Sequence, residues 1–179
     1  SLNRPYHALR TLKYWSKLKI KTHLVDGSEK PIIDSELKNL HQNVKYHHIK
    51  TFSEIDRINN ILNLINTKYC ILSSDDDLLL PNALVDCINK LEDNPDFTSC
   101  FGQVIAFENN KEKTKFNRAY NGLNDYSILS NDKNIRLKKN MINYLPSIIL
   151  SVMRTDIFKL IFEPKNFSKI RYHAALELR

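Results

Sequence analysis

The stretch Tyr69-Cys-Ile-Leu-Ser-Ser-Asp-Asp-Asp-Leu-Leu-Leu-Pro81 decides how this chain reads. Tyr69 to Leu72 is a short continuous apolar run, the pattern of a strand covered on both faces. Pro81 suits a first helical position, and Leu84, Val85, Ile88 and Leu91 recur as a helical stripe behind it. Asp75, Asp76 and Asp77 therefore fall at the carboxyl end of a buried strand, where open α/β sheets bind ligands. Three adjacent carboxylates repel one another, by roughly 1 kcal/mol for a like-charge pair ~4 Å apart in water. A divalent cation held by oxygen ligands relieves that repulsion. The plainer alternative is a solvated acidic turn that caps the following helix.

The chain has 179 residues, enough for one domain with a real core. We read residues 1–179 as that single domain. No apolar run approaches the ~18 residues that span a bilayer, and no leader pattern is visible. Cys70, Cys87 and Cys100 are odd in number and widely spaced, and they read as reduced core residues rather than a disulfide framework or a zinc site. The formal charge is +7, the basic residues being dispersed, with denser spots at Lys19, Lys21, Lys111, Lys113, Lys115, Arg136, Lys138 and Lys139. No aromatic RNA-binding strand or helix-turn-helix accompanies them, so the reading is no nucleic acid. Peripheral contact with an anionic membrane leaflet fits the charge better.

Pro5 opens a helix with Leu9, Leu12, Trp15 and Leu18 at three-residue spacing. Lys19 to Val25 reads as a strand closed by the turn Asp26-Gly-Ser. A short helix ends at Leu40, and Val44 to Ile49 is the next strand. Thr51-Phe-Ser-Glu54 is a capping box for a helix burying Ile55, Ile58, Ile61, Leu62 and Ile65. After the acidic triplet and its helix, Phe97 to Phe107 reads as a long strand bent at Gly102. Glu108 to Asn134 has no sustained period and reads as a long loop or lid. A short helix at Ile135–Ile142, a strand over Leu145–Met153, a helix capped by Thr155 or Asp156, and a helical pattern from Tyr172 complete the chain. Alternating helices and strands predict a mostly parallel sheet whose right-handed crossovers bring Asp26 and Asp75–Asp77 to one crevice. A helix with no strand before it leaves the first unit incomplete, so the chain reads as a fragment lacking its first strand and its last elements. The paired His47 and His48 point to opposite faces of a strand, and they read, like Tyr46, as structural.

These residues carry a resemblance. The opening Asn3-Arg4-Pro5, the turn Leu24-Val-Asp-Gly-Ser28, and Thr67-Lys-Tyr-Cys-Ile-Leu-Ser-Ser-Asp-Asp-Asp-Leu-Leu-Leu-Pro-Asn82 running on to Leu91-Glu-Asp-Asn-Pro-Asp96 resemble a family 2–type glycosyltransferase. More narrowly, they resemble a bacterial subfamily with a triple-Asp motif. The likeness covers Ser1 to Phe107 and extends loosely to Ser151-Val-Met-Arg-Thr155, similar to a segment on the acceptor side. It implies the GT-A fold, a Rossmann-like α/β/α sandwich. It also implies transfer, with inversion, of a sugar from a nucleotide-diphosphate-sugar donor of UDP type. The acceptor is a glycan, a lipid-linked sugar or a protein. The implied cofactor is Mn²⁺ or Mg²⁺, and the implied setting is bacterial polysaccharide biosynthesis in the cytoplasm or at the inner membrane face.

The resemblance also assigns roles. Asp26 would hydrogen-bond the base, Asp75 would contact the ribose or the metal's water shell, and Asp77 would coordinate the metal. Asp76 would face away or support the other two, while Arg57 and Arg4 would reach the nucleotide. The family's inverting members need a general base near the start of a late helix. The acid expected near Ala174 is absent, leaving His173 and Glu177 as candidates. That departure keeps open a non-catalytic nucleotide-binding module. A sugar-nucleotidyltransferase is the third reading, although it usually needs a Gly-rich phosphate loop that three scattered glycines do not supply.

Overall fold

The computed structural model describes residues 1–18, 20–110, 112–120, 122, 126–142 and 150–163. The strand expected over Leu145–Met153 is described only from residue 150 onward. The helix expected from Tyr172, with His173 and Glu177, lies outside the described residues.

The chain is mixed α/β. Helix α1 (Pro5–Leu18) turns Ala8, Thr11, Leu12 and Trp15 inward, the three-to-four spacing of one helical face. They pack on Leu24 of β1 (Thr22–Asp26) and Val44 of β2 (Val44–His48). The two strands run parallel, with Asp26 opposite His48. Short α2 (Asp34–Leu37) lies between them in sequence. Helix α3 (Glu54–Asn59) is followed by a 3-10 turn at Leu62–Leu64, so the apolar stripe from Ile55 to Ile65 is split between two short helical pieces. The cap is Ser53, whose hydroxyl accepts from the Asp56 amide at 3.2 Å, and not Thr51 as expected. Thr51 instead accepts from the Ser53 amide, forming the turn that delivers Ser53 to the cap.

Strand β3 (Tyr69–Ile71) leads into α4 (Pro81–Asp93) and then β4 (Ser99–Cys100). The late strand β7 (Val152–Arg154) lies between β3 and β4 and is antiparallel to both. This corrects the expectation of one mostly parallel sheet. Among the described residues, β1–β2 and β3-β7-β4 are separate sheets. The second is covered on both faces. Met153 and Cys70 pack with α3 and with Phe158 and Phe162 of α6 (Thr155–Phe162). Val152, Tyr69, Ile71 and Cys100 pack with Cys87 and Leu91 of α4. Double coverage is why Tyr69–Leu72 is continuously apolar. Helix α6 follows Arg154 directly and has no side-chain cap, so neither Thr155 nor Asp156 plays that part. Arg154 takes up the carbonyls at the end of α4, donating to Leu91 at 2.7 Å, Asn94 at 3.2 Å and Phe97 at 2.7 Å. The three cysteines are free thiols, and burial beside Cys100 pushes the Cys87 thiol up to about 12.

The segment read as a long strand and loop is instead a hairpin. The chain breaks at 101–103 and pairs β5 (Val104–Asn109) antiparallel with β6 (Thr114–Ala119). Helix α5 (Lys133–Ile142) follows. Among the described residues, no helix is long and apolar enough to cross a membrane.

Candidate functional site

The site forms where β1 and β3 end. Asp26 closes β1 and is 1% exposed. Its Oδ1 accepts from the Ser28 amide at 3.0 Å and from the Ser28 hydroxyl, a side-chain-closed turn. Its Oδ2 accepts from Tyr46 Oη at 2.7 Å, and that oxygen in turn accepts from the Ile32 amide at 2.9 Å. Burial, with the Asp26 charge beside it, pushes the Tyr46 phenol up to about 12. Tyr46 therefore stays a neutral donor, and it fixes Asp26 in addition to packing the sheet. His48 Nε2 donates to the Ser28 carbonyl at 2.7 Å, holding the turn from the next strand.

Gly27 is required by close approach. A β-carbon there would meet the Thr51 carbonyl oxygen at 2.3 Å and Arg57 Nη1 at 2.7 Å. Arg57 is thus brought beside the Asp26 turn. It is buried, and its Nη1 donates to its own chain, to Thr51 O at 2.9 Å and Phe52 O at 3.3 Å.

Residues 1–4 connect this turn to the acidic triplet. Ser1 N donates to Val25 O at 2.9 Å, and Ser1 O accepts from Gly27 N at 3.0 Å. Asn3 N donates to Ser28 Oγ at 2.7 Å. Asn3 has φ 54°, a left-handed conformation that Asn tolerates, and the chain turns there into α1. Arg4 then pairs with Asp75, and with Asp76 at 3.0 Å. Helix α1 holds the loop after β3 by its main chain. Thr11 Oγ1 donates to Asp75 O at 2.8 Å, Arg10 to the same oxygen at 3.2 Å, and Tyr14 Oη to Leu79 O at 2.8 Å.

The three acids differ. The Asp75 side chain is 6% exposed, and its Oδ2 is buried with no hydrogen-bond partner. Asp76 is exposed and does not face away from the cluster. A hydrogen bond from Ser74 and the Arg4 guanidinium hold its carboxyl below the usual range. Asp77 is exposed, and among the described residues it has no ion-pair partner. Partial burial and the charges of Asp76 and Asp75 push its carboxyl up. Because Asp77 is exposed by surface area, the neighbouring charge is the weightier cause. Arg4 Nε and Arg10 Nε, on side chains that contact the triplet, are also buried polar atoms without partners. Arg4, expected at a diphosphate, is committed to two carboxylates.

Among the described residues, no three His, Cys, Asp or Glu side chains converge as a metal cage. Small divalent cations do not need one, since one or two carboxylates plus substrate phosphates commonly hold Mg²⁺. Asp77 and the orphaned Asp75 Oδ2 fit that donor set. Sequence reasoning missed Tyr46, Thr11, Arg10 and Tyr14 as supports of the site. Comparison of the chain with protein-family models, with curated proteins and with solved structures finds no match.

Proposed function

We propose that this chain is a metal-assisted glycosyltransferase of the family 2 type with a GT-A fold. It moves a sugar from a UDP-type nucleotide-sugar to a glycan, lipid-linked or protein acceptor. The observation that carries the reading is the junction of two acidic turns. The buried Asp26-Gly27-Ser28 turn ends β1, the Asp75–Asp77 turn follows β3 of the other sheet, and residues 1–4 tie the two together.

In this reading the Asp26 turn, stiffened by Tyr46 and His48, supports the base and ribose side of the crevice. Asp77, which has no cation of its own, and Asp75 Oδ2 would hold Mn²⁺ or Mg²⁺. Bound there, the metal supplies Lewis-acid stabilisation of the charge that develops on the leaving diphosphate. Arg4 orients Asp75 and Asp76, and it helps hold Asp76 ionised before ligand arrives.

The test is a calorimetric titration of UDP with and without Mn²⁺, on the native chain and on Asp77→Ala. Binding that needs metal and is lost in Asp77→Ala supports the reading. UDP binding that ignores both metal and the substitution overturns it. Sugar release from a UDP-sugar on addition of an acceptor then separates transfer from nucleotide binding alone.

A further inference from the structure

The β5–β6 hairpin stands apart from the three buried clusters. Every residue of β5 is exposed, as are all of β6 except Ala119. A two-stranded hairpin with neither face covered is marginal in water, and this one carries large apolar side chains. The register puts Ile105, Phe107, Phe116 and Arg118 on one face, with the Phe107 and Phe116 rings 6.4 Å apart. Phe116 is 68% exposed. That face has no acid: Glu108 lies opposite Lys115 on the other side.

Helix α5 repeats the pattern. Only Asn140 is buried. At ~100° per residue, Ile135, Lys138 and Ile142 fall on the side away from Asn140, with Met141 beside them. Ile142 is 67% exposed. Helix and hairpin are linked at their base: Tyr126 lies against Phe101, just before β5, and its hydroxyl reaches Asn140 Oδ1 at 3.4 Å. Residues 104–142 carry six Lys and two Arg against two Glu and two Asp, a net +4 of the chain's +7. Among the described residues, none of these cations is held in a salt bridge.

We propose that the β5–β6 hairpin and α5 together dock on an anionic phospholipid surface. Exposed aliphatic and aromatic side chains ringed by Lys and Arg are what an interfacial segment needs: apolar groups for the acyl boundary, cations for the headgroups. A second copy of the chain is disfavoured, because it would set two such cationic surfaces against each other. A nucleic acid would gain little from Ile105, Ile135 and Ile142. The surface is independent of the donor-site reading and can be tested without nucleotide.

The experiment is flotation of the chain with phosphatidylcholine vesicles, with and without about 30% phosphatidylglycerol, at low and high salt. Binding only to the anionic vesicles, weakened by salt, is expected. Phe107→Ser/Phe116→Ser and Lys138→Glu/Lys139→Glu should each weaken it by about tenfold or more, with the far-ultraviolet dichroism unchanged. Independently, Phe116→Trp should shift its emission to the blue on anionic vesicles. Absence of binding, equal binding to neutral vesicles, or indifference to both double variants overturns the proposal. So does a concentration-dependent dimer lost in Phe107→Ser/Phe116→Ser, or binding to a polynucleotide that excludes vesicles.

Discussion

Arg4 pairs with Asp75 across 71 residues of sequence, joining the start of α1 to the loop after β3. The same guanidinium reaches Asp76. Arg4→Ala leaves a nearly buried carboxylate beside two others with no positive partner. The expected loss is about 1–2 kcal/mol by urea denaturation, below that of a fully buried pair because the Arg4 side chain is 39% exposed. Added Mn²⁺ should restore part of this loss in the variant and add less to the native chain. A variant as stable as the native chain without metal would show that Arg4 does not organise the triplet.

Gly27→Ala should be among the most damaging single-methyl changes in the chain. The added carbon would sit 2.3 Å from the Thr51 carbonyl oxygen, a main-chain atom that cannot swing aside, and 2.9 Å from Arg57 Cδ. Overpacking of this kind costs about 1–3 kcal/mol. Gly102→Ala is the control: nothing lies within 4 Å of its added carbon, and the change should be within about 0.5 kcal/mol of neutral. Thermal denaturation of the two variants side by side decides the point.

The elements legible in the sequence are those whose burial is one-sided or complete. Helix α1 shows its buried stripe and Tyr69–Leu72 its double coverage, whereas α4 buries Cys87 with Leu91 and leaves Val85 of the expected stripe 54% exposed. Strand direction was not legible. Tyr69–Ile71 and Val152–Arg154 are short apolar runs of a kind found in either orientation, so nothing local marks β7 as antiparallel between β3 and β4. The hairpin was hidden for the opposite reason. With both faces exposed, β5 and β6 have no in-and-out alternation, and their connection at Asn110–Lys113 contains no glycine. In the site, the acids at the strand ends stood out. Tyr46 did not, because a tyrosine that packs a sheet and one that also donates to a buried carboxylate share the same position on the strand.

Tyr46→Phe removes one oxygen that serves two partners. Asp26 Oδ2 loses its donor and the Ile32 amide loses its acceptor. Leaving such groups unpaired costs about 1–3 kcal/mol. The variant should also bind UDP more weakly in the presence of Mn²⁺, because the Asp26 turn is held from one side only. Denaturation and titration on the same preparation read both effects. A stable variant would mean that Asp26 finds another donor.

Asp77→Asn should stabilise the metal-free chain at neutral pH. The folded state raises the carboxyl above its free value of 3.8, so it takes up a proton before the unfolded chain does. Such a group costs nothing at low pH, and its cost sets in as pH rises through the raised value. The melting temperature of Asp77→Asn should therefore exceed that of the native chain at pH 7 and converge with it in acid. Under the proposed function the same variant loses metal-dependent UDP binding. Stability gained together with binding lost marks a residue kept for a ligand; a destabilised variant would mean that Asp77 holds the turn.

The stacked pair His23 and His47 should make stability fall in mild acid. Their rings lie 5.2 Å apart, and His23 Nδ1 meets His47 Nε2 at 3.0 Å across β1 and β2. One ring must donate and the other accept, so full protonation sets two donors face to face. Burial lowers both from the free value of 6.5. The charge of His47, then those of Lys21 and Lys45, lower His23 further, and Lys45 lowers His47. Depressed bases protonate first in the unfolded chain, so stability is complete above 6.5 and drains away as pH falls through the lowered values. His47→Gln removes one titrating ring and keeps a hydrogen-bonding group. Its urea midpoint should fall less steeply than that of the native chain between pH 7 and about pH 5. Identical slopes would mean that the pair titrates as it does in the unfolded chain.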